Sequence, residues 1–526
     1  MIEANALLLM LMGVLLAFAL LSGYPVAFSL AGVAFLTGGL AILLNSAFAI
    51  DVGRMDWGYL ALFPDRIFGT MTNEVLLAVP LFIFMGVILE RSKVAEDLLN
   101  AMGDLMANIR GGLSISVTIV GALLAASTGI VGATVVTMGL ISLPTMLKKG
   151  YEPGFAAGSI AAAGTLGQII PPSIVLVLLS DVLSNAYQRA QRDLGVFSPE
   201  PLSVGDLFMG ALIPGLGLVM LYILYQIGVA IFKPASVPVV QKNAENNVSM
   251  TKIMTVLLPP LTLIIAVLGS ILAGIATPTE AASVGAVGAL FLASLRATKK
   301  GSQTYKTLIR GLVSLTLLIL LPLYFEVTEG FIFYLKLFLL GISVVGLFYA
   351  IKTTLKAEIL RPAMQSVLKV TVMVFTILLG AALFSLVFRG LGGDHYITTL
   401  LSDLPGGAIG AVTVVMIVMF FLGFFLDFIE ITFVVVPIVA PVLFMLGVDP
   451  VWLGVMMAIN LQTSFLTPPF GFSLFYLRAV APPELKTSML YRGVIPFVIL
   501  QIIALIIIAT FPEVATWLPN VVFGKG

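Results

Sequence analysis

Two proline pairs, Pro171-Pro172 and Pro468-Pro469, each interrupt an apolar run beside a cluster of oxygen-bearing side chains. Thr165, Gly167 and Gln168 precede the first pair and Ser173 follows it; Asn460, Gln462, Thr463, Ser464 and Thr467 precede the second. Proline has no amide hydrogen and its ring clashes with the preceding turn, so a doubled proline frees backbone carbonyls and ends regular helix. In a lipid environment such carbonyls are tolerated only where protein buries them or a wet cavity reaches them. Carbonyls, hydroxyls and side-chain amides are hard oxygen ligands suited to a small cation, and the positive N-terminus of the half-helix beyond each break suits a carboxylate. Broken helices of this kind mark the substrate and coupling-ion sites of secondary transporters. A lone pair is as readily a structural kink, and Pro259-Pro260, which has no polar cluster, is read that way.

Three acids stand near this chemistry. Asp427 and Glu430 interrupt the apolar stretch 409–446, where a charge costs at least ~2.5–3.5 kcal/mol on insertion scales. They are open to three roles: ion ligand, proton carrier, or residues of a tip near water. Glu280 follows Thr277-Pro278-Thr279, a helix-start pattern in which capping is the simplest role.

The elements that must position these groups are membrane spans. Of 526 residues 60% are hydrophobic and 10% charged, against about 25% charged in a soluble domain. Apolar windows of the ~20 residues that cross a bilayer fall near 5–22, 25–44, 75–91, 154–180, 206–232, 252–273, 277–296, 309–328, 331–352, 366–388, 451–478 and 494–511. The first lacks a basic start and reads as a retained helix, not a cleaved signal. Stretches 113–147 and 409–446 are too long for one span and carry polar or small residues at mid-length, so each reads as a re-entrant hairpin. With both hairpins returning to their own side, 20 of the 27 basic residues fall in one set of loops. That side is cytoplasmic by the positive-inside rule, which places both termini outside. Arg389 and His395 then read as solvated residues of an outer loop.

The two hairpin-plus-broken-helix units repeat at an offset of 297 residues: Pro144 with Pro441, Gly150 with Gly447, Pro153 with Pro450, Pro171-Pro172 with Pro468-Pro469, and tip residue Ile130 with Asp427. Seven spans lead from the first broken helix to the second. Seven is odd, so the repeat is inverted. There is no cysteine, which excludes disulfides, thiolate metal sites and cysteine nucleophiles. No HExxH, GxSxG or P-loop lysine pattern occurs, so an enzyme is not expected. Net charge of +1 gives no basis for nucleic-acid binding.

The stretches LLAVPLFIFMG (76–86), GYEPGFAAGSIAAAGTLGQIIPPSI (150–174), GIATPTEAASVGA (274–286), FLGFFLDFIEITFVVVPIVAPVL (421–443) and TSFLTPPFGFSLF (463–475) together resemble the large membrane subunit of the tripartite ATP-independent periplasmic (TRAP) transporters, the DctM type. The resemblance implies an all-α polytopic protein of the bacterial inner membrane, an inverted-repeat elevator transporter importing an organic anion, a carboxylate or sulfonate. It implies sodium as the coupling ion and no covalent cofactor, with a small four-helix membrane subunit and a periplasmic substrate-binding protein as partners. A stand-alone sodium- or proton-coupled anion carrier is the alternative. Carried onto this chain, sodium falls to Thr128, Gly129, Gly132, Thr165, Gly167, Pro171 and Ser173 in the first unit, and to Asp427, Asn460, Gln462, Ser464, Thr467 and Pro468 in the second. Substrate falls to Thr128, Gln168, Ser173, Glu430, Thr463 and Thr467, while Pro172, Pro469 and Glu280 are structural. The first tip, Gly129-Ile130-Val131-Gly132-Ala133-Thr134, lacks two hydroxyls of the family's usual GISGSA, which leaves backbone groups or Thr128 to serve. The expected division is 1–112 N-terminal scaffold, 113–205 first transport half, 206–308 connecting scaffold, 309–352 an extra helical pair, 353–408 second-half scaffold, 409–478 second transport half and 479–526 C-terminal helix.

Overall fold

The computed structural model describes residues 4–129, 131–239, 250–324 and 330–524. Ile130, the expected counterpart of Asp427, lies outside the described residues, and so do Lys242 and Lys525 of the charge tally. Among the described residues every regular element is a helix. α1 (Ala4–Leu21) and α2 (Val26–Phe48) precede two short helices, α3 (Trp57–Leu60) and α4 (Phe63–Met71), then α5 (Glu74–Arg91) and α6 (Val94–Leu105). α7 (Gly112–Thr128) and α8 (Val131–Lys148) are the arms of the first hairpin. The first broken helix is α9 (Pro153–Thr165), one 3-10 turn (Leu166–Gln168) and α10 (Ile174–Asp193). α11 (Val204–Phe232), α12 (Met250–Leu272) and α13 (Pro278–Ala297) lead to α14 (Gln303–Tyr324) and α15 (Phe331–Lys356), followed by α16 (Leu360–Gly390) and α17 (Gly393–Ser402). The second hairpin is α18 (Gly407–Leu422) with α19 (Phe428–Val434) and α20 (Val436–Met445), and the second broken helix is α21 (Pro450–Leu466) with α22 (Phe472–Val480). α23 (Thr487–Thr510) and α24 (Glu513–Phe523) end the described chain. Nine of these helices are single elements long and apolar enough to cross a membrane.

Both expected proline breaks are present, and both Pro-Pro bonds are cis. Pro259 and Pro260, by contrast, sit inside the continuous α12. There Thr262 Oγ1 donates to the Pro259 carbonyl at 2.8 Å within the same helix. A proline pair alone therefore does not set a break.

The halves pack reciprocally. α5 lies along α13, and its counterpart α16 lies along α2, the counterpart of α13. The offset between copies changes along the chain: Pro278 follows Val26 by 252 residues, whereas Phe428 follows Val131 by 297. The 45 extra residues enter where the second half holds α14 and α15 and the first holds only α3 and α4. The extra pair thus runs from Gln303 to Lys356, wider than the expected 309–352, because its first turn and last turn are polar. Gly311 and Gly346 face each other so closely that a Cβ on either would lie 2.6–2.7 Å from the other's Cα, with Phe291 of α13 beside both.

α9 is buried throughout, from Gly154 to Thr165. Gly154 and Gly158 press on Gly493 of α23 closely enough that an added Cβ would strike partner backbone. Small residues allow this approach, which replaces the hydrophobic drive that helix pairs lack in lipid. The extended small-residue sequence 154–164 serves packing, and no polar function needs to be assigned to it. Two expectations are corrected. α10 runs on to Asp193 rather than ending near 180, its last turns being polar. Arg389 belongs to the last turn of α16, not to a loop, and is half-buried. The short helices α3, α4, α6, α17 and α24 are below the length of a membrane span and were not expected.

Candidate functional site

The two breaks are closed in the same way. Ser173 Oγ donates to the Gln168 carbonyl at 3.1 Å, and Ser473 Oγ donates to the Phe465 carbonyl at 2.7 Å. Gln168 and Phe465 are equivalent positions at the 297-residue offset. In each copy a serine of the outgoing half-helix takes up a carbonyl that the break set free. The Pro469 carbonyl accepts from Tyr491 Oη at 3.1 Å.

The copies also touch. Gln462 Nε2 donates to Thr165 Oγ1 at 3.3 Å, and these residues are 297 apart in sequence. Equivalent residues of a two-fold repeat meet only beside the axis, so the axis passes between α9 and α21 at this contact. Both side chains are buried. Tyr222 of α11 faces them together with Gln501 of α23. Among the described residues, Tyr222 Oη, Gln462 Oε1, both amide atoms of Gln501 and both amide atoms of the buried Gln168 make no well-aligned hydrogen bond within the protein. Buried polar atoms without partners are rare in native proteins and call for water or an ion.

The hydroxyls of the second cluster turn their protons inward. Thr463 donates to the Ile459 carbonyl, Ser464 to Leu461 and Thr467 to Thr463, at 2.8, 2.8 and 2.7 Å. Thr165 does the same to Ala162 at 2.8 Å. A hydroxyl that donates to its own helix keeps its lone pairs for another ligand. The cluster does not form one cage, however. Asn460 Nδ2 donates to the Met416 carbonyl of α18 at 2.8 Å and, with Thr463, lines an apolar groove of about 420 Å³ between α18, α21 and α23. Gln462 turns to α9, and Ser464 lies against Gly423 in the second tip.

The tips sit on the half-helices. Gly129, at φ +59°, would place a Cβ 3.0–3.1 Å from Ile174, the first residue of α10. Gly132 would place one 3.0 Å from the Tyr476 ring on α22, so the first tip reaches the outgoing half-helix of both copies. Phe424 and Phe425 of the second tip pack on Phe470, with ring centroids 6.2 and 5.6 Å apart. Tyr476, absent from the expected set, is also within electrostatic reach of Asp427. Asp427 and Glu430 form a capping box on α19: Phe428 N donates to Asp427 Oδ1 at 2.7 Å and Asp427 N donates to Glu430 Oε2 at 2.9 Å. Glu280 forms the same box with Thr277 on α13 and is exposed. Gly167, Pro171, Pro172 and Ser173 are buried at the first break; Pro468 is half-buried and Pro469 exposed at the second. The Thr128 side chain lies outside what is described.

The side chains at the breaks, Thr165, Gln168, Ser173, Asn460, Gln462, Ser464 and Thr467, offer neutral oxygens. Among the described residues no group of three His, Cys, Asp or Glu converges. Two polar contacts tie α5 to the hairpins and broken helices: Asn73 Nδ2, at its N-cap, donates to Asp181 Oδ1 of α10 at 2.8 Å, and Thr137 Oγ1 of α8 donates to Glu90 Oε1 of α5 at 3.0 Å.

The sequence profile of the family described as "Tripartite ATP-independent periplasmic transporter, DctM component" matches residues 11–321 and 312–514. The C4-dicarboxylate TRAP transporter large permease protein DctM of Vibrio cholerae serotype O1 is 30% identical over 456 residues, covering 86% of this chain and 87% of that protein. The sialic acid TRAP transporter large permease protein SiaM of the same organism is 27% identical, covering 96% and 97%. The crystal structure of the Alcanivorax borkumensis YdaH transporter superposes with a TM-score of 0.54 at 15% identity, over 98% of this chain and 99% of that one, a likeness of fold.

Proposed function

The chain belongs to the DctM component of the tripartite ATP-independent periplasmic transporters, and from that premise we propose that it imports an organic anion by sodium-coupled elevator movement. As a large permease it is a multi-pass membrane protein that works with a small membrane subunit and a periplasmic binding protein. The observation that carries the finer reading is the meeting of the two broken helices at Thr165 and Gln462. It gathers serine-closed breaks, outward-facing lone pairs and two half-helix N-termini into one body between the hairpins. In the proposed cycle the binding protein releases a carboxylate or sulfonate to the outer side, with the chain in the bacterial inner membrane and both termini periplasmic. Sodium ions take oxygens beside the breaks, with Thr165, Gln168 and Ser173 in one copy and Asn460, Gln462, Ser464 and Thr467 in the other as the candidates. The charge they bring offsets that of the anion, whose acid group faces the N-termini of α10 and α22. The hairpins and broken helices then slide past α2, α5, α13 and α16. The C4-dicarboxylate and sialic acid named for the relatives are both carboxylates, which supports the anion class.

Reconstitution into liposomes with the small subunit and binding protein tests this. Radiolabelled uptake across a panel of carboxylates and sulfonates is expected to require an inward sodium gradient and the binding protein. Equal uptake without sodium removes the coupling; equal uptake without the binding protein supports a stand-alone carrier instead.

A further inference from the structure

A cavity of about 470 Å³ opens between the two bodies on the side that the charge asymmetry assigns to the periplasm. Four arginines line it: Arg66 of α4, Arg189 and Arg192 of α10, and Arg389 of α16. Among the described residues Asp181 is the only carboxylate in its lining, and Asn73 already donates to it at 2.8 Å. Arg189 is shared with Asp394 at 2.7 Å on the rim. Among the described residues no carboxylate forms an ion pair with Arg66, Arg192 or Arg389. Arg389 instead donates to the Pro437 carbonyl of the second hairpin at 3.4 Å. Surface arginines in an ordinary protein find water; these share one recess walled in part by Leu76, Leu378 and Phe433, where a fixed positive potential is poorly screened. Guanidinium forks match the oxygens of carboxylates and sulfonates in paired hydrogen bonds.

We propose that this recess is a staging site for the organic anion, separate from the site at the helix breaks. Asp181 is seven residues beyond Ile174 on α10, a rise of about 10 Å along the helix, so the recess lies outward of the break. Its walls come from both bodies: α10 and the Phe433–Pro437 segment belong to the hairpin body, and α4, α5 and α16 to the other. An anion held here bridges the bodies in this arrangement and loses half its ligands when they slide. The assignment rests on the proposed anion import for its role. Its test needs no transport, so the two can fail separately.

The absence of cysteine makes the test direct. Ser385→Cys places a thiol in the lining, and Ser402→Cys places one at an exposed site outside it. Full-length protein in phosphatidylcholine nanodiscs is treated with methanethiosulfonates bearing a sulfonate or a trimethylammonium group. A positive recess raises thiolate content for both reagents alike, so their rate ratio isolates the field acting on the reagent. The sulfonate-to-ammonium ratio at Ser385→Cys is expected to exceed that at Ser402→Cys by about tenfold. It should collapse toward the control ratio with Arg66→Gln or, as a separate variant, Arg389→Gln. Millimolar succinate or ethanesulfonate should slow the sulfonate reagent at Ser385→Cys and leave Ser402→Cys unchanged. Equal ratios at the two sites overturn the proposal. So does protection by phosphatidylglycerol in the disc without protection by either solute, which assigns the recess to a lipid headgroup.

Discussion

At the residue scale, the pairing of Thr165 with Gln462 ties the copies together at their axis. Gln462→Leu strands Thr165 and removes one polar member facing Tyr222 and Gln501, so it should lower stability by about 1–3 kcal/mol, the range for losing one partner of a buried hydrogen bond. Adding Thr165→Val should cost less than the sum of the single changes, because it removes the hydroxyl that Gln462→Leu leaves without its donor. Thermal unfolding of the four proteins in detergent checks this, and strict additivity would mean that the two side chains do not interact. The sequence showed which residues carry oxygen but not where each one points. Asn460 and Gln462 differ by two positions, about 200° around a helix, and the structure sends one to α18 and the other to α9. Tyr222, Gln501 and Ser473 were passed over, although a glutamine deep in an apolar span is itself a signal of polar function in membranes. Tyr476 gave no such signal, since its role depends on which hairpin lands on α22.

At the element scale, spans, hairpins and both breaks were legible because each is a long apolar run with an interruption. The repeat was legible because proline and glycine punctuate it at fixed spacing. Short amphipathic helices such as α4, α6 and α17 were not, since their pattern needs only two or three turns and carries few apolar residues in a row. The capping boxes at Thr277–Glu280 and Asp427–Glu430 show how an acid in an apolar context can be explained by a helix start. The extra pair α14–α15 is set by two glycines in backbone contact. Gly346→Val should separate the pair and lower the melting temperature. It should leave the uptake rate per folded molecule close to wild type, because the repeat is complete without these helices; a loss of uptake with stability intact would give the pair a part in transport.

At the scale of the whole molecule, the proposed elevator movement divides the helices into two bodies, the hairpins with the broken helices and the helices around them. α5 is held to the hairpin body near both of its ends, by Asn73–Asp181 and by Glu90–Thr137. Neither bond is deeply buried, which keeps the strength of each modest and the joint releasable. Which helices form each body follows from the repeat, whereas the contacts between bodies depend on the arrangement the chain has adopted, and no sequence spacing announces them. The proposed transport requires these bodies to slide past each other. It is tested most directly by Glu90→Cys with Thr137→Cys, bridged by a short bifunctional thiol reagent in the otherwise cysteine-free chain. With the partner proteins reconstituted, bridging should abolish the sodium-driven uptake that the same variant shows before treatment, and cleavage of the bridge by reductant should restore it. Uptake that continues unchanged in fully bridged protein would rule out sliding between α5 and α8.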